Sequence, residues 1–535
     1  MAQSDSAPTT VIPSSQAQSE VDEYLYVREQ RRRMLPRAAL VGVIAGLAAV
    51  AFRLTLSMGE SLRNNLIIWA HQFRFGWLFP VMLGAFGAVA AVVLVRRVAP
   101  EAAGSGIPHL EAVLRRLREM RWRRLLPVKF VGGALAIGSG LALGREGPTV
   151  QMGGAIGAGV AELLRSASRE RLALIAAGAG AGLSAAFNAP LAGVVFVLEE
   201  LQRDFRRGVF GAAFVAAVVA DILARSASGQ APVFNIPSYP APPLATMPIF
   251  VVLGLITGAL GVGFNRSLVA TLAWYERLPK PLLLPVIALV GAAAGLIAWY
   301  IPTAVGSGHH LTEQTLVGEI ALRAIPLWFL LRFVLMLASY GSGAPGGIFA
   351  PMLVLGALIG AATGQLAHLA MPTIVDRPEV FAVVGMAAYF AAIVRAPLTG
   401  VVLILEMTGN YWQLLPLITA CFVAYLTAEL LRDLPIYERL LARDLARHGI
   451  EPSAGKPIVV ELEVNPDAHF DGKTVQELGL PAGCILVRCS LDGQEWLPTA
   501  ATRLAAHMRI TALIERHAEE SLTVLRDGCE GQAAS

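Results

Sequence analysis

The sequence predicts an all-α polytopic membrane protein followed by a small α+β cytosolic module. Hydrophobic residues make up 55% of the chain and charged residues only 15%, whereas soluble globular proteins average about 25% charged residues. Long apolar stretches recur from about Ala38 to Leu431, and several approach the roughly 20 residues that a helix needs to span a bilayer. Beyond Leu431 they give way to shorter β-like runs, which indicates a separate soluble unit.

Residues 1–34 precede the first apolar stretch and are predicted to form a disordered cytosolic segment. Residues 1–22 are rich in Ser, Gln, Ala and Pro, which is typical of a disordered tail and unlike a secretory signal peptide. The apolar stretches that follow are 38–51, 78–95, 172–198, 247–263, 281–299, 348–370 and 380–405. Some of them are short or broken by glycine and proline, which predicts interrupted helices.

Basic residues cluster beside these apolar stretches. The three clusters are Arg31–Arg33 with Arg37, a run between Arg115 and Lys129, and Arg203 with Arg206 and Arg207. The positive-inside rule places all three on the cytoplasmic side, and both termini are expected in the cytoplasm. Because the clusters flank membrane segments, the lipid bilayer explains them, and no nucleic-acid partner is expected.

Cysteine usage indicates neither a metal site nor a disulfide framework. Cys421, Cys484, Cys489 and Cys529 show no metal-ligand spacing. Three of them lie in the C-terminal unit, which favours a reducing cytosolic setting. No metal and no cofactor are therefore expected.

The most informative motif is Gly144–Pro148, which places Glu146 between two glycines inside an apolar region from about Val131 to Ile156. An ionisable residue at membrane depth is costly and indicates a functional site. Glycines allow close backbone approach, and the following proline suits the first turn of a helix. A helix that begins in the membrane directs its unpaired N–H groups and positive dipole end inward, where an anion can bind.

Three blocks of the apolar region recur in order. The matched pairs are 138–148 with 341–351 at an offset of 203, 104–106 with 306–308 at an offset of 202, and 188–195 with 395–402 at an offset of 207. Biased composition can explain one such block but not three collinear ones. The pattern predicts a repeat-built transporter with its site near the bilayer midplane, between the repeats. Matching alone leaves open whether the repeats are parallel or inverted.

Two acids of the first half have no acidic counterpart in the second half. Glu146 falls opposite Phe349, and Glu200 falls opposite Met407. Duplicated glycines and prolines indicate architecture, whereas unduplicated acids indicate function.

The C-terminal part is predicted to comprise a linker at 446–457, a module at 458–528 and a tail at 529–535. The module contains β-like runs at Ile458–Val464, Cys484–Cys489 and Leu522–Leu525, and the stretch 473–480 is predicted to be a short helix that ends at glycine. About 70 residues fold alone only marginally, so docking or dimerisation is expected.

Three motifs in this order resemble the anion-pathway motifs of the CLC chloride channel and transporter family. They are Gly104-Ser105-Gly106-Ile107-Pro108, Gly144-Arg145-Glu146-Gly147-Pro148 and Gly347-Ile348-Phe349-Ala350-Pro351, with Tyr437 at the place of the family's pathway tyrosine. The resemblance covers roughly residues 35–445. It implies an all-α fold of two inverted-topology repeats, about 38–225 and 245–432, with broken and re-entrant helices, assembled as a homodimer. The stretch 470–481 resembles the TrkA-C regulatory domain, which implies an unidentified small ligand.

The resemblance also implies roles for individual residues. The chloride ligands would be Ser105, Tyr437 and the backbone amides of Ile348 and Phe349. Hydroxyl and helix-end N–H donors suit a partly dehydrated anion that must bind and still leave.

Two acids complete the implied site. Glu146 would be the gate, because a carboxylate competes for an anion site and its protonated form does not. Glu200 would be the internal proton-transfer site near the cytoplasmic face. The expected function is H+/Cl− exchange across the cell membrane, the inner membrane in a bacterium, with chloride and protons as the transported ions. The alternative is a passive voltage- or pH-gated chloride channel, whose relatives usually lack an acid at the position of Glu200.

Each of these residues also has a structural interpretation. Glu146 could pair with Arg145, although adjacent helical residues do not face each other. Ser105 could be a helix cap, Glu200 a solvated acid beside arginines, and Tyr437 an interfacial anchor.

Three further residues bear on the alternatives. Glu199 is duplicated as Glu406 and is expected to be structural.

An intramembrane hydrolase using Ser105 or Ser139 with His109 is a rival of another class. No oxyanion-hole arrangement is recognisable, so we expect that the protein is not an enzyme and has no catalytic residues.

Overall fold

A computed structural model describes residues 15–202, 207–449, 458–481, 483–491, 494–514 and 519–531. The chain divides into two compact units, Met1–Asp444 and Leu445–Ser535. The third basic cluster falls largely in 203–206, which lie outside the described residues, as do residues 450–457 of the predicted linker.

The first unit is helical. Its helices α1–α17 are Ser15–Ala70, Leu78–Val98, Ile107–Leu114, Trp122–Gly138, Glu146–Leu163, Ser168–Phe187, Pro190–Phe196, Arg207–Ser228, Met247–Arg277, Lys280–Tyr300, His309–Leu316, Ile325–Gly341, Phe349–Ala370, Glu379–Val394, Pro397–Thr408, Leu414–Leu430 and Ile436–Arg447. Among the described residues, eight helices are long and apolar enough to cross a membrane. The multi-pass prediction is confirmed.

Helices α1–α8 recur in the same order as α9–α16. Helices α2 and α10 each have 21 residues, α3 and α11 each have 8, and α4 and α12 each have 17. Equivalent glycines of the two halves, Gly144 and Gly347, form an antiparallel bridge. Antiparallel pairing of equivalent residues indicates that a two-fold axis relates the repeats at this point, which the predicted inverted arrangement requires.

Two apolar stretches are interrupted at equivalent places, as predicted. The stretch 172–198 breaks after α6, where Asn188 has φ 51°, and the stretch 380–405 breaks after α14, where Arg395 has φ 68°. Each left-handed residue is followed by Ala-Pro, and the proline begins the next helix, where its missing N–H costs nothing. Short helices therefore begin inside these apolar stretches.

Glycines let the helices of each repeat pack with their backbones nearly touching. A Cβ on Gly153 of α5 would lie 2.0 Å from the carbonyl oxygen of Gly178 on α6, and the equivalent Gly356 of α13 would meet Gly385 of α14 at 2.6 Å. Small residues of this kind drive helix association in membranes, where apolar burial adds little. The duplicated glycines are architectural, as the repeat predicted.

The second unit contains a four-stranded antiparallel sheet of order β1-β4-β2-β3. Its strands are Ile458–Glu463, Cys484–Leu491, Gln494–Trp496 and Arg509–Ile514, and helix α18 is Glu519–Glu530. A short 3-10 helix at Val475–Leu478 ends at Gly479, which has φ 60°, so the short helix predicted there is confirmed.

Two predictions of local structure are wrong, and one domain boundary differs. Leu522–Leu525 is part of α18 rather than a strand, because Leu525 and Cys529 are four residues apart and both are buried on one helix face. Residues 15–34 of the predicted disordered segment belong to α1, where Gln, Glu, Arg and Leu are strong helix formers. Helix α18 also continues to Glu530, two residues beyond the expected end of the module.

Candidate functional site

Two loops, one from each repeat, are joined at the centre of the first unit. Gly144 N donates to Gly347 O, and Gly347 N donates to Gly144 O, both at 2.7 Å. Helix α5 begins two residues after Gly144, and helix α13 begins two residues after Gly347. The reciprocal hydrogen bonds therefore bring two helix N-termini together, and both direct unpaired N–H groups to one region.

A third loop, Gly104–Pro108, completes the arrangement. Gly104 O accepts hydrogen bonds from Gly346 N at 3.0 Å and from Lys129 Nζ at 2.7 Å. A Cβ on Gly147 would lie 3.0 Å from Ser105 Cβ. All three sequence motifs thus meet at one place.

Ser105 lies within this junction and is only 1% exposed. Its Oγ accepts a hydrogen bond from the N–H of Ile107, the first residue of α3, at 3.4 Å. A second contact at 3.4 Å comes from the Tyr340 hydroxyl. Ser105 therefore stabilises a helix start, and the same hydroxyl lies at the junction of the two repeats.

Glu146 directs its carboxylate to the N-terminus of the second repeat's helix. Oε2 accepts a hydrogen bond from Ala350 N at 3.4 Å, and the side chain is buried. Arg145 instead donates to Ala186 O at 3.3 Å. Within the described part of the chain no salt bridge joins Arg145 and Glu146, so the adjacent ion pair does not account for the buried acid.

Ile348 and Phe349 are fully buried at the start of α13. The Phe349 ring packs against Phe187, Phe196 and Phe390 at centroid distances of 5.7, 6.1 and 4.6 Å. This packing fixes the backbone at the start of α13, because an aromatic cluster holds its members in defined positions.

Tyr437 is fully buried near the start of α17, which does not fit an interfacial aromatic anchor. Its hydroxyl has no hydrogen-bond partner among the described residues. It lies within electrostatic range of Glu146, Glu200 and Tyr340. A buried hydroxyl without a protein partner is uncommon in native structures, and a bound water or ion would satisfy it.

Glu200 is 2% exposed and lies in a π-helical turn, Val197–Gln202, that continues α7. Such turns occur frequently at functional sites. Glu200 also lines a cavity of about 500 Å³ together with Arg395, Asp433 and Glu438. A buried acid at a cavity wall does not fit the solvated surface acid considered from the sequence.

Glu199, the neighbour of Glu200, has a structural contact. Its carboxylate accepts hydrogen bonds from Leu398 N at 3.0 Å and Thr399 N at 2.7 Å, at the start of α15. Glu406 makes the equivalent contacts with the first turn of α7, at 3.1 and 2.8 Å. The expectation that Glu199 is structural is confirmed.

Sequence reasoning missed three buried polar residues. Lys129 was placed with a cytoplasmic basic cluster, and this is wrong, because its fully buried ammonium group donates to Ala102 O at 2.9 Å and to Gly104 O. Glu111 is fully buried in α3. Tyr340 contacts Ser105. The sequence signal that could have identified Tyr340 is the repeat, because the equivalent residue of the first half is Ile137.

His109 does not form a dyad with Ser105. Its Nδ1 lies 3.3 Å from Gln151 Nε2, and within the described residues no hydrogen bond joins it to Ser105. Ser139 donates to Ala136 O at 3.0 Å. The arrangement gives no support to the hydrolase alternative.

Comparison with known proteins agrees with this geometry. The family model described as voltage gated chloride channel matches residues 86–429, and the TrkA-C domain model matches residues 459–525. The chain is 43% identical over 424 residues to the H(+)/Cl(-) exchange transporter ClcA of Vibrio parahaemolyticus serotype O3:K6, covering 77% of this chain and 90% of that protein. It is 41% identical over 447 residues to ClcA of Salmonella paratyphi A, covering 80% and 94%.

A solved structure shares the fold. The crystal structure of a slow cyanobacterial Cl−/H+ antiporter has a TM-score of 0.76 and 36% identity, and the match covers 78% of this chain and 99% of that one. One family model thus spans most of the first unit and includes the three motifs that meet around Gly144. The chain belongs to the CLC family of voltage gated chloride channels and related transporters.

Proposed function

We propose that this protein is a secondary active transporter that exchanges chloride for protons across a membrane. The observation that carries the proposal is the contact between Glu146 Oε2 and Ala350 N. It places a side-chain carboxylate at the N-terminus of a 22-residue helix, which is where a free anion would bind. A titratable anion at an anion site links proton binding to anion binding.

The central chloride would be held by Ser105, Tyr437 and the amides of Ile348 and Phe349. Support comes from the Tyr437 hydroxyl, which is buried and has no hydrogen-bond partner among the described residues. Hydroxyl and amide donors carry no full charge, so they replace the hydration of chloride without holding it as tightly as an ammonium group would.

Glu146 would act as the gate. While ionised, its carboxylate competes with chloride for the N–H groups at the start of α13. Protonation removes the negative charge and makes the side chain a hydrogen-bond donor, so it loses its attraction for those N–H groups and leaves. Entry of chloride and uptake of a proton are thereby coupled at one position.

Glu200 would receive the proton on the other side of the chloride site. It lines the cavity that is also lined by Glu199, Glu429 and Asp433, and it lies within electrostatic range of Tyr437, as Glu146 does. A passive channel is the alternative, but a buried acid at this position and relatives named as H(+)/Cl(-) exchange transporters favour exchange.

The test is a reversal potential, measured in liposomes under opposed chloride and pH gradients. For an exchanger, the potential shifts when the pH gradient alone changes. A potential that stays at the chloride Nernst value whatever the pH gradient would overturn proton coupling and establish the channel.

A homodimer is a further part of the proposal. Leu191 and Leu398 are more than half exposed, and they lie beside the half-buried carboxylates of Glu406 and Glu199. Carboxylates are costly against lipid, so a second copy that covers this surface is favoured over lipid contact. Cross-linking between introduced cysteines at Leu191 and Leu398 of two subunits would test it, and a monomer by mass in detergent would contradict it.

Three remaining assignments rest on pattern and resemblance. Both termini are proposed to lie in the cytoplasm, which protease protection in oriented vesicles would test. The TrkA-C module is proposed to bind a small regulatory ligand, and flux measured with and without residues 458–535 would reveal whether the module affects exchange. We also propose that the protein has no catalytic activity.

A further inference from the structure

Tyr340 is a second polar group that only one repeat carries at the central junction. It is the penultimate residue of α12, directly before Gly341, and it is 5% exposed. At the repeat offset of 203 its counterpart is Ile137, which is the penultimate residue of α4 and is also buried. The backbone frame is thus duplicated, but the hydroxyl is not, as with the carboxylate of Glu146.

The Tyr340 hydroxyl contacts Ser105 twice. It accepts a hydrogen bond from Ser105 N at 3.5 Å and donates to Ser105 Oγ at 3.4 Å. The approach depends on Gly104, since a Cβ there would lie 3.0 Å from Tyr340 Oη and Gly104 has φ 60°. The loop therefore brings the phenol to Ser105 at a place where a larger residue would separate them.

The hydrogen bonds that Ser105 Oγ accepts determine where the proton of its hydroxyl points. A serine hydroxyl has one donor and two acceptor lone pairs. Ile107 N and Tyr340 Oη both donate to Ser105 Oγ at 3.4 Å, so both acceptor positions are used. The Ser105 proton is then directed away from these two donors and is available to an anion.

We propose that Tyr340 is a positioning residue that sets anion affinity by orienting the Ser105 hydroxyl as a donor. The inference rests on the proposed chloride exchange. Without the Tyr340 hydroxyl, Ser105 regains a free lone pair, and its hydroxyl rotates among orientations that repel an anion as well as those that bind it. Both contacts are longer than typical hydrogen bonds, so the expected effect is at most that of one ordinary neutral bond.

The experiment is Tyr340→Phe in the full-length chain, reconstituted in liposomes. The ring stays, and only the hydroxyl is lost. We expect the chloride concentration for half-maximal flux to rise by about three- to tenfold, with maximal flux and the proton-to-chloride ratio close to those of the parent. An unchanged half-saturating concentration would overturn the proposal.

Tyr275→Phe is the matched control. Tyr275 is also buried, and its hydroxyl donates to Ala338 O of α12 at 2.9 Å, away from Ser105. This variant also removes a buried phenol hydroxyl, and we expect its half-saturating chloride concentration to match that of the parent. An equal rise in both variants would contradict a specific role of Tyr340.

A double-mutant cycle separates positioning from direct anion binding. If Tyr340 acts through Ser105, then Tyr340→Phe should change nothing further in a Ser105→Ala background. A further loss of affinity in the double variant would overturn the positioning role. If the parent protein moves no chloride at all, it is the proposed function that fails, because this inference predicts only a difference in affinity between variants.

Discussion

Lys129 and Arg332 occupy equivalent positions of the two repeats and hold equivalent loops. Lys129 Nζ donates to Ala102 O and Gly104 O at 2.9 and 2.7 Å, and Arg332 Nη1 donates to Ala304 O and Gly306 O at 2.9 and 3.0 Å. Both cations are buried. Each one therefore satisfies carbonyl groups of a loop that leads into a short helix, but only the first loop carries the candidate anion ligand Ser105.

The equivalence predicts that the two cations share a structural role and differ in function. Lys129→Met and Arg332→Met should each lower the free energy of unfolding by about 1.5–3 kcal/mol, because carbonyl groups lose charged donors. Only Lys129→Met should also weaken chloride binding. Thermal unfolding in detergent and chloride-dependent flux would measure the two effects, and equal chloride affinity in both variants would refute the distinction.

Glu146→Gln should imitate the protonated gate. The amide keeps the size of the side chain but has no charge with which to occupy the start of α13, so anion flux should become independent of pH. Proton movement should fall to background because the titratable group is gone. Simultaneous recordings of chloride and pH in liposomes measure both, and persistent uphill proton transport would show that Glu146 is not the gate.

Glu200→Gln should separate the two fluxes. Chloride flux should continue, because Glu200 is distinct from the proposed chloride ligands, while proton flux should be abolished. Glu406→Gln is the matched control, since it changes a carboxylate that caps a helix. We expect that control to retain coupling. Unchanged coupling in Glu200→Gln would return the residue to a structural role.

Cys529 in the C-terminal module should be unreactive in the folded protein. It is fully buried, and burial raises the pKa of its thiol from 9.0 to about 12. At pH 8 the thiol stays protonated, and only the thiolate attacks alkylating reagents. Mass spectrometry after maleimide treatment should find Cys529 modified in urea but protected without it.

The same pKa shift has a stability consequence. The folded state disfavours the thiolate, so the contribution to stability is complete below the unfolded pKa and is lost as pH rises from about 9 towards 12. The melting temperature of the module should therefore fall over that interval. A Cys529→Ala variant should show a smaller fall, and rapid labelling of native Cys529 at pH 8 would contradict this account.

The part of the site that lies in short motifs could be predicted from the sequence. Glu146, Ser105 and the start of α13 stand in glycine-rich loops whose local chemistry identifies them. Tyr340 could not be found in this way, because its partner Ser105 lies 235 residues away. Contacts of that separation depend on how the repeats meet, and a single chain carries no local signal of it.

Short segments and highly charged segments were also difficult to interpret from the sequence. Lys129 looked like one more cation of an arginine-rich run, and only the carbonyl groups around it explain its burial. The run Leu522–Leu525 is too short to distinguish a strand from a helix by periodicity. The fold class was predictable because apolar length and glycine spacing repeat over hundreds of residues.

The paired hydrogen bonds between Gly144 and Gly347 bear on how such a chain could arise. In a symmetric pair of identical half-length subunits, this glycine would form the same two hydrogen bonds with its copy in the other subunit. One sequence could therefore supply both sides of the contact. In such an ancestor an acid at the position of Glu146 would be present in both subunits, and the two carboxylates would repel each other. Gene duplication and fusion allow the two copies to diverge, and the present chain keeps the acid in one half only.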